Sequence, residues 1–273
     1  MTAHKLLHSK KGKNKIIVKC HMSFDLNQGE CHAHCGWVCV CFGFHFFSFE
    51  INGCDSTFIT NCILGNSIKI KHALMIVSTH NSFLHYENVG FKMNYNVQRH
   101  VESQLIQFYL LGEECLVNLL NNDVTSLTNV VQSLKKTILQ MREKYGTVSI
   151  VLDGVTHLFD LGYSLVEVNN FCNGIVKLIQ QYNNSFVLFH CNISSDEDVS
   201  YVMANLLAHK ADIVLEAESL PSGLSADVNG HLTVKHLGKK FEEAHMFTMD
   251  LKPSKYLFKL FDRGVKLFAP GTV

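Results

Sequence analysis

Between residues 126 and 215, short and almost uninterrupted apolar runs alternate with longer segments whose apolar residues recur every three or four positions. The runs are Val148-Ser149-Ile150-Val151-Leu152, Ser185 to Cys191, and Ala211 to Leu215. A strand that is apolar on both sides must be covered on both sides, which points to a parallel sheet held between helical layers. The intervening segments supply those layers. Leu127, Val130, Val131, Leu134, Ile138 and Tyr145 form one stripe that ends at Gly146, a helix stop. Tyr163 to Tyr182 reads as a long helix, apolar over much of its circumference and so covered on more than one side. Ser195 and Asp198 have the spacing of a capping box and predict a helix that buries Val199, Val202, Met203, Leu206 and Leu207.

The same alternation extends upstream, with a short helix over Phe58 to Ile68 and a buried strand over His72 to Ser78. Ser82 to Tyr95 is a second helix candidate and Leu105 to Tyr109 another strand. Beyond residue 220 the pattern changes. Asn229-Gly230 reads as a hairpin turn, and Asp262-Arg263-Gly264 joins Tyr256–Phe261 to Val265–Phe268. The expected fold is α/β, of the RecA-like, P-loop-NTPase type. Its mostly parallel sheet is flanked by helices and extended by antiparallel strands at the C-terminus. No internal repeat and no proline- or glycine-rich linker divides the chain, so residues 14–273 are expected to form a single domain behind a basic tail at 1–13.

Composition narrows the function. Hydrophobic residues make up 47% of the chain and charged residues 18%, which excludes wholesale disorder. The 24 basic and 24 acidic side chains cancel, so a domain that grips nucleic acid unaided is not expected. The first 19 residues carry Lys5, Lys10, Lys11, Lys13, Lys15 and Lys19 with no apolar core after them, unlike a secretory signal. The ten cysteines are therefore expected to be reduced thiols of a cytoplasmic chain that could also enter the nucleus. Gly36 to Phe49 is too short to span a membrane.

A RecA-like sheet raises the question of nucleotide binding. The phosphate loop G-x-x-x-x-G-K-[ST] supplies amides and a lysine to the phosphates and a hydroxyl to magnesium. It is absent. The nearest counterpart is Asn52-Gly53-Cys54-Asp55-Ser56-Thr57, where Ser56 and Thr57 offer hydroxyls, no lysine precedes them, and Asp55 would repel a phosphate. Asp153 closes an apolar strand at the Walker-B position; equally, Asp153-Gly154 can be a plain turn whose carboxylate caps the next segment. These four residues are read as vestiges of a degenerate nucleotide site, with no catalytic residue, cofactor or metal expected.

Residues 21–51 are dense in cysteine, histidine and phenylalanine without a clean period, following a strand candidate at Lys15–Cys20. Cys20, His21, Cys31, His32, His34, Cys35, Cys39, Cys41, His45 and Cys54 could offer zinc ligands. Their spacing does not make two separated C-x-x-C knuckles, so the stretch is read first as a variable insert or a poorly ordered loop. Its abrupt change of composition also fits translated non-coding sequence.

The carboxy-terminal half carries a resemblance. Ser149-Ile150-Val151-Leu152-Asp153-Gly154, Ala211 to Leu220, Pro221 to Leu232 and Phe268 to Gly271 resemble, in order and spacing, the family of the sixth subunit of the Elongator complex. Asp55 to Leu64 and Ser82 to Gly90, with Phe83, His85 and Tyr86, are weaker matches, and the likeness covers about residues 52–273. The resemblance implies a RecA-like pseudo-ATPase without a standard phosphate loop. It further implies a heterohexameric ring with Elongator subunits four and five, contact with the remaining subunits, and tRNA binding through the assembled ring during wobble-uridine modification, with the chemistry carried elsewhere. An active nucleotide hydrolase with an irregular loop and a zinc-binding module at the N-terminus are the alternatives. Peptides from residues 21–50 are expected in digests of the natural protein if the stretch is native; mass spectrometry that recovers the flanking peptides but never these would identify it as foreign.

Overall fold

The computed structural model describes residues 45–51, 54–193, 197–223, 225–237 and 253–269, the first of these segments as backbone. The basic tail, the strand candidate at Lys15–Cys20 and the zinc candidates Cys20 through Cys41 lie outside the described residues.

Among the described residues nine strands form one sheet in the order β3-β2-β4-β5-β1-β6-β7-β8-β9. The first six in that order are parallel: β3 (Ile106–Leu110), β2 (Ala73–Ser78), β4 (Val148–Asp153), β5 (Val187–Ile193), β1 (His45–Ile51) and β6 (Ile213–Ser219). The antiparallel strands β7 (Gly230–His236), β8 (Ser254–Phe261) and β9 (Gly264–Phe268) extend one edge. This is the RecA-like arrangement read from the sequence. The apolar runs are buried for the reason inferred: every residue of β2 and of β4 is buried.

Two helical layers do the covering. On one face lie α1 (Thr57–Ile70), α2 (Phe83–Lys92) and α3 (Val97–Glu102). On the other, α5 (Leu127–Tyr145), α7 (Leu165–Gln180) and α8 (Val199–Ala208) pack side by side. Two further helices, α4 (Leu111–Leu120) and the short α6 (His157–Asp160), follow β3 and β4. The stripe predicted for α5 holds, with Leu127, Val130, Leu134 and Ile138 buried and Gly146 ending the helix at φ +76°.

Four local readings are corrected. Residues 45–51, assigned to the irregular insert, form β1 at the middle of the parallel sheet, paired with β5 and β6. The buried residues of α7 make a single stripe, Val168, Phe171, Cys172, Ile175, Leu178 and Ile179. Its capping box is Ser164 with Glu167. Ser195 of the expected capping box lies outside the described residues; Asp198 stands at the N-cap of α8, and the helix turns Met203 and Leu207 inward while Val199 and Val202 stay exposed. Finally, Asn229-Gly230 is not a hairpin turn. Gly230 opens β7, where a Cβ would strike the Glu218 carbonyl and the Phe258 ring, and Asn229 Oδ1 accepts from the Leu260 amide at 2.7 Å. The other turn is as read: Asp262-Arg263 links β8 to β9.

One polar pair ties the parallel strands at their amino-terminal ends. Ser149, the interruption in the apolar run of β4, shares a 2.7 Å hydrogen bond with His72 Nε2 and accepts the Phe186 amide at 3.0 Å. Thr147 holds the other ring nitrogen of His72 at 3.2 Å. Burial lowers the His72 pKa from 6.5 to about 4. The unfolded chain therefore takes up a proton at this residue near pH 6.5 that the folded chain refuses until about pH 4. The stability it confers is complete above the unfolded value and declines as pH falls towards 4, by roughly 3 kcal/mol at the limit. Melting temperatures measured from pH 7 to 4 are expected to fall, and His72→Gln, which keeps hydrogen-bonding capacity without the titration, is expected to flatten that fall.

Candidate functional site

Parallel strands deliver their carboxyl ends to one rim, where ligands bind in open α/β sheets. Here the register sets Ser78 of β2 beside Asp153 of β4, and Asp153 beside His190 of β5. The start of α1, in the phosphate-loop position after β1, reaches the same rim.

Asp153 is the centre of this cluster and is fully buried. The Tyr86 hydroxyl donates to its Oδ2 at 2.6 Å, and the Asn81 amide group reaches the same oxygen at 3.3 Å. Thr60 donates to Oδ1 at 3.4 Å. His190 Nδ1 lies 2.8 Å from Oδ1, a close electrostatic contact that does not line up as a directed ring N–H bond. Burial alone would raise the Asp153 pKa. The His190 contact, the Tyr86 hydroxyl and the charge at His80 together outweigh it and hold the carboxyl well below the usual carboxylate range. The same burial and the adjoining carboxylate push the Tyr86 hydroxyl far up, so it stays a donor.

The residues read as vestigial nucleotide contacts are also engaged. Ser56 is buried, and its hydroxyl shares a 2.6 Å hydrogen bond with His190 Nε2. Asp55 is exposed and folds back on the start of α1: its Oδ1 accepts from the Thr57 amide at 3.0 Å and from the Thr57 hydroxyl at 2.6 Å. A carboxylate of the chain itself thus meets the helix amide that a phosphate would otherwise meet. The structure unites Ser56 and Asp153 through His190 and leaves Asp55 with Thr57 at the surface.

Gly154 makes the turn at φ +87°, and a Cβ there would collide with His80, Thr79 and His157. The turn reading is therefore correct, but the Asp153 carboxylate points back into the sheet rather than capping α6. Thr79 closes the turn by donating to the Gly154 carbonyl at 2.5 Å and the Asp153 carbonyl at 3.1 Å.

Ser56, His190 and Asp153 are connected in the order of a serine-hydrolase triad. Two features argue against nucleophilic chemistry. The serine hydroxyl is buried, and the amide beside it, that of Thr57, is already taken by Asp55 rather than free for an oxyanion. The arrangement is a closed polar network. Among the described residues no group of three or more histidine, cysteine or acidic side chains is placed to hold a metal ion, and Cys54 is buried. His190, Tyr86, Thr60 and Asn81 were not singled out in the sequence as site residues. The available signal was His190 itself, a histidine inside the apolar run from Ser185 to Cys191.

Asp153→Ala would strand the Tyr86 and Thr60 hydroxyls without their acceptor and remove the carboxylate beside His190. It is expected to cost about 3–5 kcal/mol of unfolding free energy in urea titrations, in line with leaving two buried donors to a charged group unpaired. A loss below about 1 kcal/mol would mean that the carboxylate is not the keystone of the rim.

The geometry finds its context in comparison with known proteins. The family model described as Elongation complex protein 6 matches residues 46–259. The match begins within β1 and so takes in the strand that the sequence reading had placed in the insert. Elongator complex protein 6 of Drosophila melanogaster is 25% identical over 238 residues, covering 85% of this chain and 92% of the relative. The Xenopus laevis and Homo sapiens proteins of the same name are 25% and 23% identical over 242 and 241 residues, each covering 80% of this chain and 87% of its own length. Because the family match spans well over half of the sequence and runs from the central strand β1 into β8, this chain belongs to the Elongation complex protein 6 family.

Proposed function

We propose that this chain is an accessory, non-catalytic subunit of the Elongator complex, in the cytoplasm and also the nucleus. In this reading it joins subunits four and five in a heterohexameric RecA-like ring that supports tRNA binding and modification of the wobble uridine. The observation that carries the non-catalytic part is the state of Asp153. A Walker-B aspartate serves magnesium through water and needs an open carboxylate. Here both oxygens are met by protein groups in a fully buried site. The hydroxyls of Ser56 and Thr57, the other magnesium candidates, are spent on His190 and Asp55. Membership of the family supports the assembly part, since the relatives are named as components of the Elongator complex.

Within this assembly the chain acts as a shaped block. The described residues of its nucleotide rim are tied to one another, which suits supplying surfaces instead of turnover, and zero net charge suits contact with RNA shared among subunits better than capture by this chain alone. Affinity purification of the tagged chain from its own cells is expected to recover subunits four and five in near-equal amounts. Any ATP turnover of the purified assembly is expected to be unchanged by Asp153→Asn. Recovery of a monodisperse single chain would refute the assembly role. Turnover that disappears with Asp153→Asn while the ring remains intact would restore a hydrolase.

A further inference from the structure

The sequence 111–134 is apolar in a way the core does not use. In α4 only Leu111, Gly112 and Cys115 are buried. Leu116, Val117, Leu119 and Leu120 face outward, and Val124 follows them, with Leu120 84% and Val124 71% exposed. At helical spacing, residues 116, 117, 119 and 120 fall on one side of α4, so these side chains form a continuous ridge. Their exposed area is roughly 500 Å², within the range of about 300–600 Å² typical of the largest apolar patch on a monomer, a patch that is often functional.

The ridge is held rigidly. Gly112 lets α4 start against the Thr79 backbone, where a Cβ would meet the carbonyl. Asn118 donates to Thr125 Oγ1 at 2.7 Å, and Tyr163 donates to the Thr125 carbonyl at 2.7 Å, with Cys115 Sγ 3.4 Å from the same phenol oxygen. These ties fix α4, the turn after it and the start of α5 as one hairpin, with the leucines pointing away. Beside the ridge lies a groove of ≈ 560 Å³ between α5 and α7, lined by Val124, Thr125, Leu127, Val131, Phe171 and Gly174 among others. Val124 belongs to both ridge and groove. A stable interface takes about 800 Å² per partner, more than the ridge alone provides, so ridge and groove are needed together.

Charge decides the occupant. Residues 111–134 contain Glu113, Glu114 and Asp123 and no lysine, arginine or histidine, and the α7 wall of the groove adds Glu167. Lys135 and Lys136 begin only beyond this stretch. A second copy of the chain would bring acid against acid across a two-fold axis. Nucleic acid would be repelled outright. We infer that the α4 ridge and the α5–α7 groove dock a partner protein through an amphipathic helix whose apolar stripe is flanked by basic side chains. The inference rests on the assembly role proposed above and assigns it to the outward side of the α4–α5 hairpin, whose first residues abut the rim at Thr79.

The test uses the full chain co-expressed with the assembly partners. Leu116→Asp with Leu120→Asp is expected to lower their recovery at least tenfold while leaving the melting temperature of the free chain unchanged, because these side chains are solvent-facing. Glu113→Lys with Glu114→Lys is expected to lower recovery several-fold, most strongly at low salt. In the wild-type assembly, backbone hydrogen exchange over residues 111–131 is expected to slow relative to the free chain. Assembly that survives both double variants, with unprotected amides over 111–131, overturns the docking surface and leaves the assembly role standing. Self-association of the free chain that the leucine variants abolish overturns it in favour of a second copy. Failure of the wild-type chain to recover partners overturns the assembly role and this surface with it.

Discussion

A carboxylate removed from water must be met by donors, and Asp153 is met from four directions. Tyr86 comes from α2, Thr60 from α1, His190 from β5, and Asn81 from the loop after β2. The central parallel strands and one helical layer are thereby joined at a single buried atom group. An unsatisfied ion in such a place would cost several kcal/mol, so each of these elements is constrained to the position that supplies its hydrogen bond or close electrostatic contact. The closed rim, the turn at Gly154 and the seating of α1 all follow from that requirement.

This network occupies the part of a RecA-like sheet where an enzyme would keep its most open chemistry. A magnesium-binding aspartate must exchange water, and a helix start that grips phosphate must leave its amides free. Here the aspartate is saturated, and the Thr57 amide is held by Asp55. The same residue types that looked like remnants of a nucleotide site have become structural. Their polar groups remain in place because a parallel sheet ends in them, but each has found a partner within the chain. What the molecule offers outward lies elsewhere, on the α4 hairpin, where leucines that could have been core are turned to solvent by the Asn118–Thr125–Tyr163 ties.

Much of the sheet was legible from pattern. Strands β2, β4 and β5 announce themselves as apolar runs because they are buried on both faces, β6 by the buried Ile213-Val214 at its start, and α5 because its period is clean. The central strand β1 was missed for a related reason. A strand without alternation is recognised by contrast with its flanks, and His45–Ile51 sits at the end of a stretch already rich in phenylalanine, cysteine and histidine. In α8, reading the cap led the stripe astray: Val199 and Val202 were expected inside, whereas the helix rotates to bury Met203, Ala204 and Leu207. Asn229-Gly230 has the composition of a two-residue hairpin turn, yet its glycine is required by the close approach of the Glu218 carbonyl and the Phe258 ring.

The sequence by itself determined the layer architecture, the direction of most strands and the absence of a standard phosphate loop. These depend on periodicity and on local motifs that a chain carries wherever it goes. It also singled out Asp55, Ser56, Thr57 and Asp153, of which the fold joins Ser56 and Asp153 through His190 and leaves Asp55 with Thr57. Only the tertiary structure decided what they do. His190 lies 37 residues beyond Asp153 and 134 beyond Ser56, and it stands between them because β5 lies next to β4 in the sheet. Whether a polar side chain is an open ligand or a closed structural tie depends on which donors the fold brings within about 3 Å, and no spacing along the chain records that distance.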